Sequence, residues 1–255
     1  MSSRGSSSAL AAFVLHHYAW SESSLIVDLF TRELGRVAVA AKGAKRPYSQ
    51  LRAVLLPFQR LNASLGRASA DANNEVHNLR SAEWAGGVPM RGGDALFSGF
   101  YLNELLQGLL ARQDPHPALW DAYAATLAWL GSADESAALR AFELVLLREI
   151  GLLPELSHVT ATQAVVLPEG RYALRPEAGV VSAAPGDAAA VTGADLLTLQ
   201  SALADKQLDA LRQACAPPAT ALRRQLRALL HYHLGRPHLR TRQVLVDLQH
   251  LSQRP

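Results

Sequence analysis

The sequence contains little of what builds disulfides, metal clusters or membrane spans. Its one cysteine, Cys215, cannot form an internal disulfide or supply a multi-thiolate zinc site, and we interpret it as a small buried core residue. No apolar run approaches the roughly 18 residues that a membrane helix needs. The Ser-rich start and the short apolar stretch after it do not fit a signal peptide. These absences favour a cytoplasmic globular protein whose residues 1–11 form a disordered tail.

Catalytic motifs are also missing. The segment 42–46 lacks the first Gly and the Lys-Ser/Thr ending of a nucleotide-binding phosphate loop. There is no Gly-x-Ser-x-Gly elbow and no His-Glu-x-x-His, and the carboxylates are scattered rather than clustered as in a two-metal nuclease. His231 and His233 are two positions apart on a predicted helix, so they point to different faces and do not share a metal. We predict that the chain is not an enzyme and uses no cofactor or metal.

The formal net charge of +3 hides an uneven distribution along the chain. Residues 1–67 hold nine Lys and Arg against three Asp and Glu, and residues 222–247 hold six against one. Residues 68–221 hold nine against eighteen, which gives this middle region a net charge of −9. Two basic ends around an acidic middle favour localised binding of a polyanion over a uniform solubility charge.

Short apolar segments separated by turn residues run through the first third of the chain and predict strands. The five predicted strands are Ala12–Tyr18, Ser24–Phe30, Arg36–Lys42, Leu55–Leu65 and Glu75–Glu83. Five short strands in about seventy residues suit a small barrel, which we place at residues 12–85. Pro57 is the weak point, because proline in a strand belongs at an edge, a start or a bulge.

The rest of the chain is predicted to be mainly helical. Residues 86–93 are rich in Gly and form a predicted linker, after which apolar residues recur every three or four positions. Short apolar pairs among Pro and Gly at 155–190 indicate a small hairpin or irregular insert. We therefore expect an α+β protein with a helical domain over 94–255. The predicted helices are Phe97–Leu110, Pro117–Leu130, Ser136–Ile150, Gly193–Leu203, Ala204–Cys215, Pro217–Gly235 and Thr241–Leu251.

Basic and aromatic residues are interleaved in the predicted barrel. Small-barrel proteins that bind single strands combine cations with aromatic rings, because phosphates need cations and every base offers a π-face. The alternative is that these residues belong to solvated barrel loops. The strongest segment is 36–46, which has four cations within eleven positions. The candidate DNA-binding residues are Arg32, Arg36, Lys42, Lys45, Arg46, Arg52, Arg60 and Arg67, with Tyr48 and Phe58 as stacking surfaces.

A second basic set lies near the C-terminus. It fits either a longer DNA path or a solvated helix face, and the sequence leaves both interpretations open. Its members are Arg223, Arg224, Arg227, Arg236, Arg240 and Arg242.

Several ordered segments together resemble the DNA repair protein RecO family. The resemblance covers residues 12–250 with gaps, and the order of the motifs makes it specific although no single motif is. In the first third the motifs are Glu22-Ser23-Ser24-Leu25, Val27-Asp28-Leu29-Phe30-Thr31, Gly35-Arg36-Val37, Ala41-Lys42-Gly43-Ala44, Leu56-Pro57-Phe58 and Leu79-Arg80-Ser81-Ala82-Glu83. Further along they are Tyr101-Leu102-Asn103-Glu104-Leu105-Leu106, Leu139-Arg140-Ala141-Phe142-Glu143, Gly151-Leu152-Leu153-Pro154, His233-Leu234-Gly235 and Leu239-Arg240-Thr241-Arg242.

The resemblance implies a five-stranded oligonucleotide-binding (OB) barrel followed by a helical domain. It implies a recombination mediator in the cytoplasm, associated with the nucleoid, that binds single-stranded and double-stranded DNA and anneals complementary strands. With RecR, such a mediator helps to load the recombinase RecA onto DNA coated by single-strand-binding protein. Many relatives carry a four-cysteine zinc module after the position of Gly151, whereas residues 155–190 of this chain contain no Cys.

The family also implies binding to the acidic tail of single-strand-binding protein. Such a tail needs an apolar pocket with a cation at its rim. We assign Arg140 to the tail carboxylate, with Phe142, Leu105 and Leu109 as pocket walls; the alternative for Arg140 is an ordinary exposed helix residue. The rival to the whole interpretation is a helical scaffold or regulatory protein that binds no DNA and whose basic ends dock acidic protein partners.

Overall fold

The computed structural model describes residues 9–66, 76–87, 92–236, 239–241 and 243–244. The chain forms two compact units. The first consists of residues 1–92 and 102–127, and the second of residues 93–101 and 128–255. The predicted linker at 86–93 stays a prediction of where the domains separate, and the unit that contains the barrel extends beyond it to residues 102–127.

A closed five-stranded barrel dominates the first unit. The strands are β1 (Leu10–Ala19), β2 (Leu25–Thr31), β3 (Gly35–Ala41), β4 (Gln59–Leu65) and β5 (Val76–Gly87). Its neighbours follow the order β1-β2-β3-β5-β4, and β4 pairs with β1 to close it. All pairs are antiparallel except that of β3 with β5. The prediction of an OB-type barrel followed by a helical region is confirmed.

The barrel interior is filled by one face of each strand. Successive side chains of a strand point to opposite faces, and Val14, Leu29 and Val39 are all fully buried inward-facing members of the core.

Residues 50–65 depart from the prediction of one strand over Leu55–Leu65. A five-residue helix, α1 (Gln50–Val54), comes first, and β4 begins only at Gln59. The β4 ladder starts after residue 58 for two reasons. Pro57 has no backbone N–H to donate to a neighbouring strand, and Phe58 has a φ of 68°, which is not a strand conformation.

Residues 102–127 cover the outer face of β1 and β2. They comprise the end of α2 (Asp94–Leu109), the connecting segment 110–116 and most of α3 (Pro117–Trp129). The ring of Phe13 lies 5.1 Å from those of both Trp120 and Tyr123, and the Trp120 indole N–H donates to the carbonyl of Phe30 at 3.1 Å. The Asn103 side-chain amide donates to the carbonyl of Leu15 at 2.9 Å. Both faces of these strands are therefore buried over much of their length.

The second unit is built from helices and a small sheet. A hairpin of β6 (Arg171–Arg175) and β7 (Gly179–Ser182) lies within the predicted insert at 155–190, and β8 (Val191–Thr192) pairs with β6. The predicted helix Thr241–Leu251 lies mostly outside the described residues. The long helices of this unit are α4 (Glu135–Glu149), α5 (Gly193–Ala204), α6 (Leu208–Cys215) and α7 (Ala219–Leu234).

Candidate nucleic-acid interface

Two loops of the barrel are joined by hydrogen bonds into one surface. They are the β1–β2 loop, residues 20–24, and the β3–α1 loop, residues 42–49. The backbone N–H of Lys45 donates to the carbonyl of Ser23 at 3.0 Å, and its ammonium donates to the carbonyl of Ser21 at 2.9 Å. We call this joined pair the barrel-mouth surface.

The barrel-mouth surface carries cations that form no ion pair within the described residues. Lys42, Lys45 and Arg46 are exposed, and Arg52 is exposed on α1. In the part of the chain that the structure describes, none of the four forms an ion pair with a carboxylate, and Glu22 is the acidic residue of the two loops. Tyr48, 98% exposed, stands among them. The structure therefore brings together five of the residues that the sequence predicts for DNA binding.

The exposed aromatic residues at this surface were not identified from the sequence. Tyr18 and Trp20 are 46% and 58% exposed at the end of β1 and in the β1–β2 loop. The ring of His16 lies edge-on to that of Tyr18 at 4.7 Å, and His17 is exposed between them along the strand. The run of residues 16–20 is rich in His and aromatic side chains, and that composition was the available signal.

Arg36 is placed differently from the expectation of an exposed phosphate contact. It lies on the outer face that residues 102–127 cover, where its guanidinium donates to the carbonyls of Leu110, at 3.1 Å, and Gln107. Its Nε is 3.6 Å from Oδ1 of Asp28, and both atoms lack a hydrogen-bond partner within the described chain. The charge of Arg36 is thus engaged in holding residues 107–110 on the barrel.

Asp28 is buried beneath this contact. Burial raises the pKa of its carboxyl above the ordinary value, and the positive charges of Arg36, Arg112 and His16 offset the effect only in part. A carboxyl with a raised pKa binds protons more readily in the folded than in the unfolded chain. Its contribution to the free energy of unfolding therefore falls as the pH rises, and it is lowest once the pH exceeds the pKa of the folded state.

Replacing Asp28 by Asn should show the cost of burying the Asp28 charge, because the stability difference between the two proteins then depends on pH. As the pH rises from about 4, near the usual carboxyl pKa, we expect the free energy of unfolding of the wild type to fall relative to Asp28→Asn. Urea unfolding of both proteins in the same buffers measures the difference, in which the titration of all other groups largely cancels. A difference that grows in favour of the wild type as the pH rises would mean that the attraction to Arg36 outweighs burial.

The other N-terminal candidates occupy separate surroundings. Arg32 forms a two-point ion pair with Asp121, with both N–O distances at 3.0 Å. Arg60 is exposed on β4, with its guanidinium carbon 5.3 Å from the centre of the Trp120 ring. Phe58 is buried, at 6% exposure, so it offers no stacking surface. Arg67 lies outside the described residues.

The C-terminal candidates lie in and beyond α7. Arg223 and Arg224 are exposed and Arg227 is half-buried, on the side opposite the buried Leu222, Leu226 and Leu229. The helix contains no acidic residue, so the like charges at positions 223 and 227 repel across one turn. Arg236 and Arg240 are exposed, Arg240 has partners of its own, and Arg242 lies outside the described residues.

The residues predicted to hold the acidic tail are placed as follows. Arg140 is buried, at 5% exposure. Its guanidinium donates two hydrogen bonds to the Glu143 carboxylate, the one from Nε at 2.7 Å. The Glu143 carboxylate also accepts from the Tyr101 hydroxyl. Burial alone would lower the pKa of Arg140, but Glu143 raises it above its usual value. This differs from the exposed rim cation that the sequence suggested. Phe142 and Leu105 are fully buried and Leu109 is half-buried, Phe142 in the second unit and both leucines in the first.

The second unit contains the free cysteine of the chain. Cys215 is fully buried, and burial raises the pKa of its thiol to about 12, which keeps it protonated. Over the described ranges, no three His, Cys, Asp or Glu side chains converge as a metal site would require. No described helix is both long and apolar enough to cross a membrane.

Strand order and surface chemistry together define a class of protein. A closed barrel of order 1-2-3-5-4 with basic, aromatic-bearing loops is of the OB type. The family model for the recombination protein O N-terminal domain matches residues 7–87, and that for its C-terminal domain matches residues 90–243. The chain belongs to the recombination protein O (RecO) family.

Relatives resemble the chain over nearly its full length. Proteins named DNA repair protein RecO from Polaromonas naphthalenivorans (strain CJ2) and Verminephrobacter eiseniae (strain EF01-2) are 55% and 53% identical to it over 245 and 244 residues. The one from Variovorax paradoxus (strain S110) is 52% identical over 252 residues. Each alignment covers 94% of this chain and 96% of the relative.

Proposed function

We propose that this chain acts in DNA repair and recombination as a non-enzymatic mediator that binds single-stranded DNA and anneals complementary strands. Membership of the RecO family supports the role in repair. The observation that carries the binding step is the barrel-mouth surface, where Lys42, Lys45 and Arg46 are exposed and lack a carboxylate partner in the described chain. Phosphates would supply the missing negative charge.

The covered outer face of the barrel supports one path for the bound strand over another. OB folds commonly bind oligonucleotides on the face of strands 2 and 3 and on the adjoining loops. Here residues 102–127 pack against Phe30 and Arg36 on those strands. A strand bound to the first unit would therefore follow the barrel-mouth surface and α1; the arginines of α7 in the second unit are a separate candidate for phosphate contacts.

The partners proposed for the chain follow from its family. We propose that it works with RecR to load RecA onto DNA coated by single-strand-binding protein, in the cytoplasm at the nucleoid. Tail contacts by Arg140, Phe142, Leu105 and Leu109 stay a prediction. Because Glu143 already accepts two hydrogen bonds from Arg140, a tail carboxylate would have to compete with Glu143 for that guanidinium.

A salt titration with a labelled single-stranded oligonucleotide tests the proposed function. The logarithm of the binding constant should fall linearly with the logarithm of salt concentration, with a slope of about −0.7 for each phosphate contact. The sequence of the oligonucleotide should matter little, because cations and stacking rings tolerate any base. Absence of binding at low salt would contradict the proposal and favour a scaffold that docks acidic proteins.

A further inference from the structure

Trp20 is an exposed aromatic residue whose position the packing of the barrel does not explain. It is 58% exposed, whereas Trp120 of the same unit is 3% exposed and packs on Phe13. Tyr18, two residues earlier on β1, is 46% exposed. Leaving two large rings in water forgoes the stabilisation that their burial would give.

The loop that carries Trp20 is fixed by hydrogen bonds, one of which comes from a cation. The backbone N–H of Trp20 donates to the carbonyl of Ser24 at 3.1 Å, which closes the β1–β2 loop. The ammonium of Lys45 donates to the carbonyl of Ser21, the next residue along the chain, at 2.9 Å. An ammonium has three donors, so this contact leaves two for a phosphate close to the loop that presents the ring.

Cations alone do not distinguish single-stranded from double-stranded DNA, because both carry phosphates. Aromatic rings do distinguish them. The bases of a duplex are already stacked on both sides, whereas the bases of a single strand are free to stack on a side chain. An exposed ring on a loop that also binds a lysine without an ion pair in the described chain is therefore the element that can favour single strands.

We propose that Trp20, assisted by Tyr18, is the base-stacking platform that gives the barrel-mouth surface its preference for single-stranded DNA. The inference rests on the proposed function and names the residues that determine its specificity. Lys42, Lys45 and Arg46 supply affinity for phosphates of any strand, and Trp20 adds the affinity that only an unpaired base provides.

Three probes separate stacking from charge: a single-stranded oligonucleotide, an abasic strand of the same length, and a duplex. Trp20→Ala should bind the oligonucleotide about tenfold more weakly with an unchanged salt slope, and should bind the abasic strand and the duplex as the wild type does. Lys45→Ala should weaken binding to all three and reduce the single-strand slope by about 0.7.

Trp84 provides the matched control. It is 64% exposed on β5, outside the barrel-mouth surface, with its indole N–H donating to Gln59 at 3.0 Å. Trp84→Ala should bind every probe as the wild type does. Quenching of tryptophan fluorescence by the oligonucleotide should be lost in Trp20→Phe and kept in Trp84→Phe, although the phenyl ring of Trp20→Phe keeps part of the affinity.

Different outcomes would contradict the stacking platform and the proposed function on which it rests. Unchanged oligonucleotide affinity in Trp20→Ala, or equal losses on the ordinary and abasic strands, overturns the stacking platform while leaving the proposed function intact. A loss confined to Trp84→Ala also overturns it. Failure of the wild type to bind any of the three probes at low salt is instead a failure of the proposed function.

Discussion

Reversing the charges of Lys42, Lys45 and Arg46 together to Glu is expected to weaken binding of single-stranded DNA by on the order of a hundredfold at low salt. Three attractive contacts become three repulsive ones on a surface whose cations are exposed and unpaired within the described chain. The salt slope should shrink by about 2, since each lost phosphate contact removes about 0.7. Annealing should decline in parallel for all sequences.

The control for this triple variant reverses three cations at other positions, so that its net charge is the same. Arg80, Arg148 and Lys206 are exposed outside the barrel-mouth surface. If location matters more than total charge, their triple reversal to Glu should cost far less affinity. Fluorescence anisotropy measures both variants. Equal losses would assign binding to the overall charge of the protein, and unchanged affinity in the first variant would remove the barrel-mouth surface from the site.

Substituting Gly35 by Ala is expected to destabilise the first unit by roughly 3 to 5 kcal/mol, the combined scale of backbone strain and overpacking. Gly35 has a φ of +69°, and a Cβ there would lie 1.9 Å from the backbone oxygen of Asp114. The neighbouring backbone is fixed as well, since the N–H of Gln113 donates to the carbonyl of Arg36 at 2.9 Å. Urea unfolding monitored by circular dichroism measures the loss.

Gly43 is the matched control for the Gly35 substitution. Its φ is +73°, but a Cβ there meets only the Arg46 side chain, at 3.6 Å or more. Gly43→Ala should therefore cost about 1 kcal/mol, the strain of a left-handed backbone alone. The excess at Gly35 measures how closely the 110–116 segment approaches the barrel. Equal losses in the two variants would mean that this segment moves aside at little cost.

Several predictions from sequence succeeded where the information was local. Alternation of apolar residues located all five strands, and the spacing of three and four located the helices over 94–235. The short helix α1 was missed because five residues are too few to show helical periodicity. The prediction also began β4 four residues early, since Leu55 and Leu56 are apolar but precede the strand.

Individual site residues were harder to predict than elements. Lys42 and Arg36 look alike in sequence, as cations at or near the ends of β3. Lys42 is exposed, whereas Arg36 is covered by residues more than seventy positions away along the chain. Arg140 looked like a surface cation, yet Glu143 and Tyr101 enclose it in a buried network. Trp20 was not among the predicted site residues, and only the structure shows that its ring is exposed.

The sequence by itself determined the barrel-plus-helices fold, the concentration of positive charge at both ends and the lack of thiols for a zinc module. These depend on periodicity, composition and residue counts, which are properties of neighbouring positions. Only the tertiary structure decided which cations face solvent, that residues 102–127 cover strands β1 and β2, and that Lys45 binds the exposed loop that carries Trp20. Exposure and proximity depend on what the chain packs against from distant positions, and no local pattern encodes that.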